Sequence, residues 1–226
     1  AEHFSAVATS LHVRVRSIKA ARGGILDRNG VVLADNKTVC TVSVIYSQIE
    51  DREKVIEVLC RELELSEEYD RKRVEKFSAM ERVKSNVDKA VGDRIREYDL
   101  AGVKVDEDYK RYYPFDSLAS KALGFTGGDN QGIIGLEVVY DTYLEGTPGQ
   151  ILTVTDAKGI EVESAGERRI EPVAGLDLCI SMDLNVQSYA TQLAAQALAT
   201  KEADSVSIVV MNPQNGEILA MVNVPE

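Results

Sequence analysis

The sequence predicts an α+β fold. An elongated, mainly-β body carries a small helical insert, and an incomplete α/β unit of one helix and a β-hairpin follows it. Three observations predict this. Strand-like runs flank Asn29-Gly30 and Asn215-Gly216, the short-range signature of hairpins. Three amphipathic patterns with mixed charge fall between about residues 50 and 100. A long helical pattern opens at Asp183 and leads into two apolar strands.

The elements follow in chain order. Residues 1–19 alternate charge and valine, as in Val13-Arg14-Val15-Arg16, and read as an extended arm or edge strand. Ile25-Leu26 and Val31 to Ala34 form a hairpin around Asn29-Gly30, expected as a type I′ turn with positive φ at both central residues. Thr38 to Tyr46 is β-branched and reads as a further strand. In the insert, Val55, Val58, Leu59 and Leu63 share one helix face. A second helix follows the N-cap Ser66 through Val74, Phe77 and Val83, and a third spans Asp88 to Tyr98 with Val91, Ile95 and Tyr98 aligned. Their charged faces read as solvated.

Gly102 restarts β character at Val103, and Pro114 ends it by removing a ladder donor. A short helix is expected from Ser117 to Leu123, a loop from Gly127 to Gly132, and a helix from Gly135 to Leu144. Val154 to Val162 reads as a hairpin turning at Ala157-Lys158-Gly159. Leu176 to Ser181 is strand-like, Asp183 caps a helix from Leu184 to about Ala199, and two strands close the chain. One helix and two strands cannot bury both faces of a sheet, so this last unit reads as unfinished. Its outer strand, Glu217 to Asn223, is expected to expose an edge and to self-associate through residues 205–223.

Composition excludes several function classes. The 226 residues carry 26 Lys+Arg against 37 Asp+Glu, a net charge of −11. Nucleic-acid binding needs clustered cations, so nucleic acid is not an expected partner. Cys40, Cys60 and Cys179 form no C-x-x-C pair and have no histidine nearby in sequence. They read as small buried hydrophobes, with no zinc site. The Gly127–Gly135 stretch lacks both phosphate-loop patterns, and no G-x-S-x-G elbow exists. No catalytic residue, cofactor or metal ligand is expected.

Four blocks together carry a family resemblance. The first is Arg22-Gly23-Gly24-Ile25-Leu26-Asp27-Arg28-Asn29-Gly30 with Leu33-Ala34. The second is Lys110-Arg111-Tyr112-Tyr113-Pro114, then Leu123-Gly124-Phe125-Thr126-Gly127. Gly132-Ile133-Ile134-Gly135-Leu136-Glu137 with Tyr140-Asp141, Leu144, Gly146 and Gly149 form the third. The fourth is Gly175 to Leu178, Ser181-Met182-Asp183, Gln187 and Pro213 to Met221. In this order they resemble class B penicillin-binding proteins of bacterial cell-wall synthesis, over nearly the whole chain and least in the insert.

The resemblance implies a non-catalytic pedestal, or dimerisation domain, over residues 1–175 with its insert at about 50–100. It implies the start of a D,D-transpeptidase domain over 176–226. The family's Ser-x-x-Lys, Ser-x-Asn and Lys-Thr-Gly motifs are absent from this sequence, where Lys37-Thr38 precedes Val39. The chain therefore looks like a piece of a longer protein, with those motifs beyond Glu226 and a membrane helix before Ala1. Implied partners are the parent's transpeptidase domain, a membrane glycosyltransferase of the shape, elongation, division and sporulation family, and a second copy in a homodimer. The implied location is the outer face of a bacterial membrane. Competing readings are a parent that is itself the penicillin-binding enzyme, or a β-lactam sensor or inactive homologue.

Within the pedestal, Arg22, Gly23, Asp27, Arg28, Gly30, Arg111, Tyr113, Pro114, Gly132, Gly135 and Glu137 are the motif residues, structural or in contact with a partner. One of Arg22, Asp27 and Arg28 is expected to pair with Glu137. Gly30 is expected where a Cβ would clash, and Arg111, Tyr113 and Pro114 to anchor the crossing between insert and core.

Overall fold

A 13-residue strand, β3 (Val32–Val44), is the longest among the described residues and joins what the sequence divides into two strands. The computed structural model describes residues 12–155 and 167–225. It is a mixed α+β fold that divides into two compact units, with one division falling inside β3 between Lys37 and Thr38.

The first unit holds residues 12–19, 38–110, 148–155 and 167–172. Strand β1 (His12–Ile18) is the edge of a three-stranded antiparallel sheet. It pairs with β8 (Gly149–Thr155), which also pairs with β9 (Glu167–Ile170). The turn expected at 157–159 lies outside the described residues. The later half of β3 pairs antiparallel with β4 (Glu81–Asp88), and β5 (Val103–Tyr112) also pairs with β3.

Helix α1 (Arg52–Leu63) is capped by Asp51, whose side chain accepts from Lys54 N, and buries Val55, Ile56, Val58, Leu59 and Leu63. Helix α2 (Glu67–Val74) is capped by Ser66, and α3 (Lys89–Glu97) buries Ile95. These faces close one apolar core with Cys40, Val42 and Val44 of β3.

Two expectations about the insert need correction. The second helix ends at Val74, and Val83 lies on β4. Residues 81–88 bury Glu81, Val83 and Val87, a period of two that a helical reading overrides. Phe77 is 88% exposed and meets the Tyr46 ring edge-on at 5.4 Å.

The second unit holds residues 20–37, 111–147 and 173–225. Here β2 (Ile25–Leu26) pairs antiparallel with β3 and parallel with β10 (Leu178–Cys179). Helix α4 (Ser120–Leu123) precedes a small hairpin of β6 (Phe125–Thr126) and β7 (Gly132–Ile134). The helix expected over 135–144 is two short pieces, α5 (Gly135–Val139) and α6 (Asp141–Leu144), broken at Tyr140 with φ −106° and ψ 17°. Ile25, Leu33, Leu123, Leu144 and Met182 form the core of this region.

Helix α7 (Leu184–Lys201) starts as expected at Asp183, whose carboxylate accepts from Asn185 N and Val186 N. Its Ala190 and Ala194 pack on β11 (Val206–Met211) and β12 (Ile218–Val224). The backbone of Met221 does not present an open edge: its N–H donates to Gln187 Oε1 at 2.8 Å, and its carbonyl accepts from Gln187 Nε2 at 2.9 Å.

The Asn29-Gly30 turn is not type I′. Only Gly30 has positive φ, at +81°. Gly30 N–H donates to the Asp27 carbonyl at 3.1 Å, the bond of a four-residue turn followed by a bulged register. A Cβ on Gly30 would meet nothing within 4 Å, which corrects the expected clash: glycine is favoured there by its φ alone. The cysteine reading also needs one correction. All three thiols are free and Cys40 is buried, but Cys179 is exposed.

Candidate functional site

The site builds outward from Glu137. Helix α5 turns this carboxylate into the second unit, where it is fully buried. A buried carboxylate is costly unless cations and hydrogen bonds surround it, and Glu137 has both. Arg22, in the segment before β2, donates from Nε to Oε2 at 2.7 Å. Arg111, at the end of β5, donates from Nε to Oε1 at 2.7 Å. The Tyr113 hydroxyl donates to the same oxygen at 3.3 Å. Burial and then the Glu137 charge push the Tyr113 phenol up to about 12, which keeps it a donor.

Arg22 extends its other N–H groups to two backbone carbonyls and a second carboxylate, and Arg111 adds one backbone bond. Arg22 Nη2 donates to the Glu137 carbonyl at 2.8 Å, and Nη1 to the Asn130 carbonyl at 2.9 Å and Asp141 Oδ1 at 2.7 Å. Arg111 Nη1 donates to the Gly23 carbonyl at 2.8 Å. Asp141 also accepts from Gly132 N–H at 2.7 Å, and Asn36 Nδ2 donates to the Arg22 carbonyl. Two cations and two carboxylates make the cluster neutral. It ties the segment before β2, the end of β5, the β6–β7 loop and the α5–α6 break to one point. Gly132 is required by close approach, since a Cβ there would stand 2.1 Å from the Glu137 carbonyl oxygen.

Asp27 makes a second buried knot. Its Oδ1 accepts from Asn29 N at 2.7 Å and Val31 N at 2.8 Å, and its Oδ2 accepts from Leu184 N at 3.1 Å. Burial raises the carboxyl, but the N–H groups of Val31, Leu184 and Asn29 outweigh it and hold it below the ordinary carboxylate range. The Cys179 thiol donates to the Asp27 carbonyl at 3.3 Å. One side chain thus shapes the β2–β3 turn and fastens it to the start of α7.

Of the three residues expected to pair with Glu137, Arg22 does so. Asp27 is turned to Leu184, and Arg28 faces Glu217 at 3.7 Å in an exposed pair. Gly23 contributes its carbonyl, Gly135 opens α5 at φ +68°, and Pro114 is half-buried beside Tyr113. Asp141 and Gln187 stand in the motif blocks with no contact assigned to them from sequence, and Asn36 stands outside the blocks. The signal for Asp141 was its place four residues after Glu137, where two like charges on one helical face call for a shared cation.

The arrangement ties and orients, and no nucleophile–base pair emerges from it. Among the described residues, no group of three or more His, Cys, Asp and Glu could hold a metal ion. An open groove of about 640 Å³ in the second unit is lined mainly by apolar side chains, including Leu136, Val139, Leu178, Ile180, Met182 and Met221.

Comparison with known proteins gives the class. A family model described as the penicillin-binding protein dimerisation domain matches residues 17–180. The chain belongs to that family. It is similar to stage V sporulation protein D of Bacillus subtilis, 38% identical over 100% of this chain and 35% of that protein. It is also similar to the peptidoglycan D,D-transpeptidase MrdA of Acinetobacter baumannii, 33% identical over 99% of this chain and 36% of that protein. The chain thus spans about a third of the length of these curated relatives.

Solved structures share the fold. A complex of penicillin-binding protein PBP2 with MreC from Helicobacter pylori matches with a TM-score of 0.69 at 24% identity, over 95% of this chain and 43% of that one. Penicillin-binding protein 2X of Streptococcus thermophilus matches with a TM-score of 0.67 at 22% identity, over 94% of this chain and 35% of that one.

Proposed function

We propose that this chain is the non-catalytic pedestal region of a class B penicillin-binding protein, a scaffold that positions a transpeptidase domain and docks partners in peptidoglycan assembly. The dimerisation-domain match over residues 17–180 carries this reading. Residues 1–175 are the pedestal, with its helical insert at about 50–100, and residues 176–226 open the transpeptidase domain. The parent is a serine D,D-transpeptidase held on the outer face of a bacterial membrane by a helix before this chain. Among the described residues no helix is long and apolar enough to cross a membrane.

The motif residues act mechanically in this reading. Arg22, Arg111, Tyr113 and Glu137 hold the base on which the next domain is built, and Asp27 fastens the β2–β3 turn to that domain's first helix. The partners are the transpeptidase domain, a membrane glycosyltransferase of the shape, elongation, division and sporulation family, and a second copy of the chain. Docking on this region is supported by the similarity to a penicillin-binding protein solved with MreC.

Intact-mass measurement after incubation with a reactive β-lactam tests the proposal, on this chain and on the product of the uninterrupted gene. The expected result is an acyl adduct on the longer product alone. An adduct on this chain overturns the non-catalytic reading, and an adduct on neither replaces the working parent with an inactive homologue.

A further inference from the structure

Asp70 takes no part in either knot. It sits one turn into α2, is 0% exposed, and neither of its carboxyl oxygens has a hydrogen-bond partner among the described residues. The elements packed on α2 offer little to an anion. From α1 the Cys60 thiol faces it without a hydrogen bond of normal geometry. From β4 the Lys84 ammonium is in range, but it donates to the Leu63 carbonyl at 2.5 Å. On α2 itself, Arg71 is held by Glu53, Glu67 and Glu75, and Glu67 adds a like charge in the same turn. The surroundings are otherwise the apolar core, with Leu59, Leu63, Val74 and Val83 buried.

We propose that Asp70 is a proton-held latch of the helical insert: with its proton in place α2 stays seated on α1 and β4, and ionisation releases it. A neutral acid tolerates this setting, whereas a carboxylate stripped of water and donors does not. Burial pushes the Asp70 carboxyl above its ordinary value, with Cys60 and Lys84 pulling weakly the other way. The same burial, and then Asp70 itself, push the Cys60 thiol up to about 11, so Cys60 is no competing anion near neutrality. Because the folded pKa is raised, the stability it links to is fully present below the unfolded pKa and is lost as pH rises through the folded pKa.

The test compares melting of the 226-residue chain and its Asp70→Asn variant from about pH 4, near the ordinary aspartate value, up to about pH 8. The expected result is a variant that melts increasingly above the parent as pH rises, by roughly 3–5 °C per pH unit until the folded pKa is passed. A gap that does not change with pH overturns the latch. If the variant does not fold, the carboxyl carbon-13 shift of Asp70 in the parent decides. Titration above the ordinary carboxylate range supports the proposal, and titration at or below that range overturns it.

Discussion

Arg71 and Arg22 each gather carboxylates, and the two clusters differ in almost everything that matters energetically. Arg71, on the surface of α2, reaches Glu53 at 2.7 Å, Glu67 at 2.9 Å and Glu75 at 3.1 Å, with those glutamate side chains 73%, 70% and 47% exposed. Arg22 and Glu137 meet at 2.7 Å with both side chains wholly buried. Around Arg71 water competes for every partner, and each glutamate keeps its hydration when the arginine is lost. Around Glu137 no water stands in for a missing partner, so deleting one member strands the others. The number of ion pairs is therefore a poor guide to what holds this fold, and their burial is a good one.

The largest effect is expected at Glu137. Glu137→Ala leaves Arg22 and Arg111 facing each other without their shared anion, and should destabilise the fold by about 3–5 kcal/mol. Denaturant unfolding measures this directly, and an unchanged midpoint would sink the claim that the pair is structural.

Asp27 comes next. Asp27→Asn keeps the shape but turns an amide N–H toward backbone donors, at a cost of about 1–3 kcal/mol. Its folded pKa is lowered, so its contribution is present above the unfolded pKa and lost as pH falls through the folded value. The variant should therefore show a shallower loss of stability in acid than the parent. Equal acid slopes would remove Asp27 from the account.

The same contrast explains what the sequence made legible. Local chemistry was readable: the Asp183 and Ser66 caps, the first helix face and the run from Gly102 into β5 depend on neighbours a few residues away. The motif blocks pointed to Glu137 and narrowed its partner to three residues, but periodicity cannot decide a contact 115 residues away in the chain. Asp27 looked like a turn residue, which it is. Its bond to Leu184, 157 residues on, left no trace in local pattern. The lost strand β4 is a failure of another kind, because Val74 and Phe77 continue a helical spacing that the chain abandons in its next turn. Gln187 stands in the fourth motif block, but its hold on Met221 follows only from the packing of α7 on β12.

The most direct measurement is a pair of double-mutant cycles, one on Arg111 and Glu137 and one on Arg71 and Glu53, run on the same chain under the same conditions. The expected result is a coupling energy of kilocalories in the buried pair and none resolvable in the exposed one. Equal couplings would contradict it, because the fold would then rest no more on the buried knot than on its surface charges.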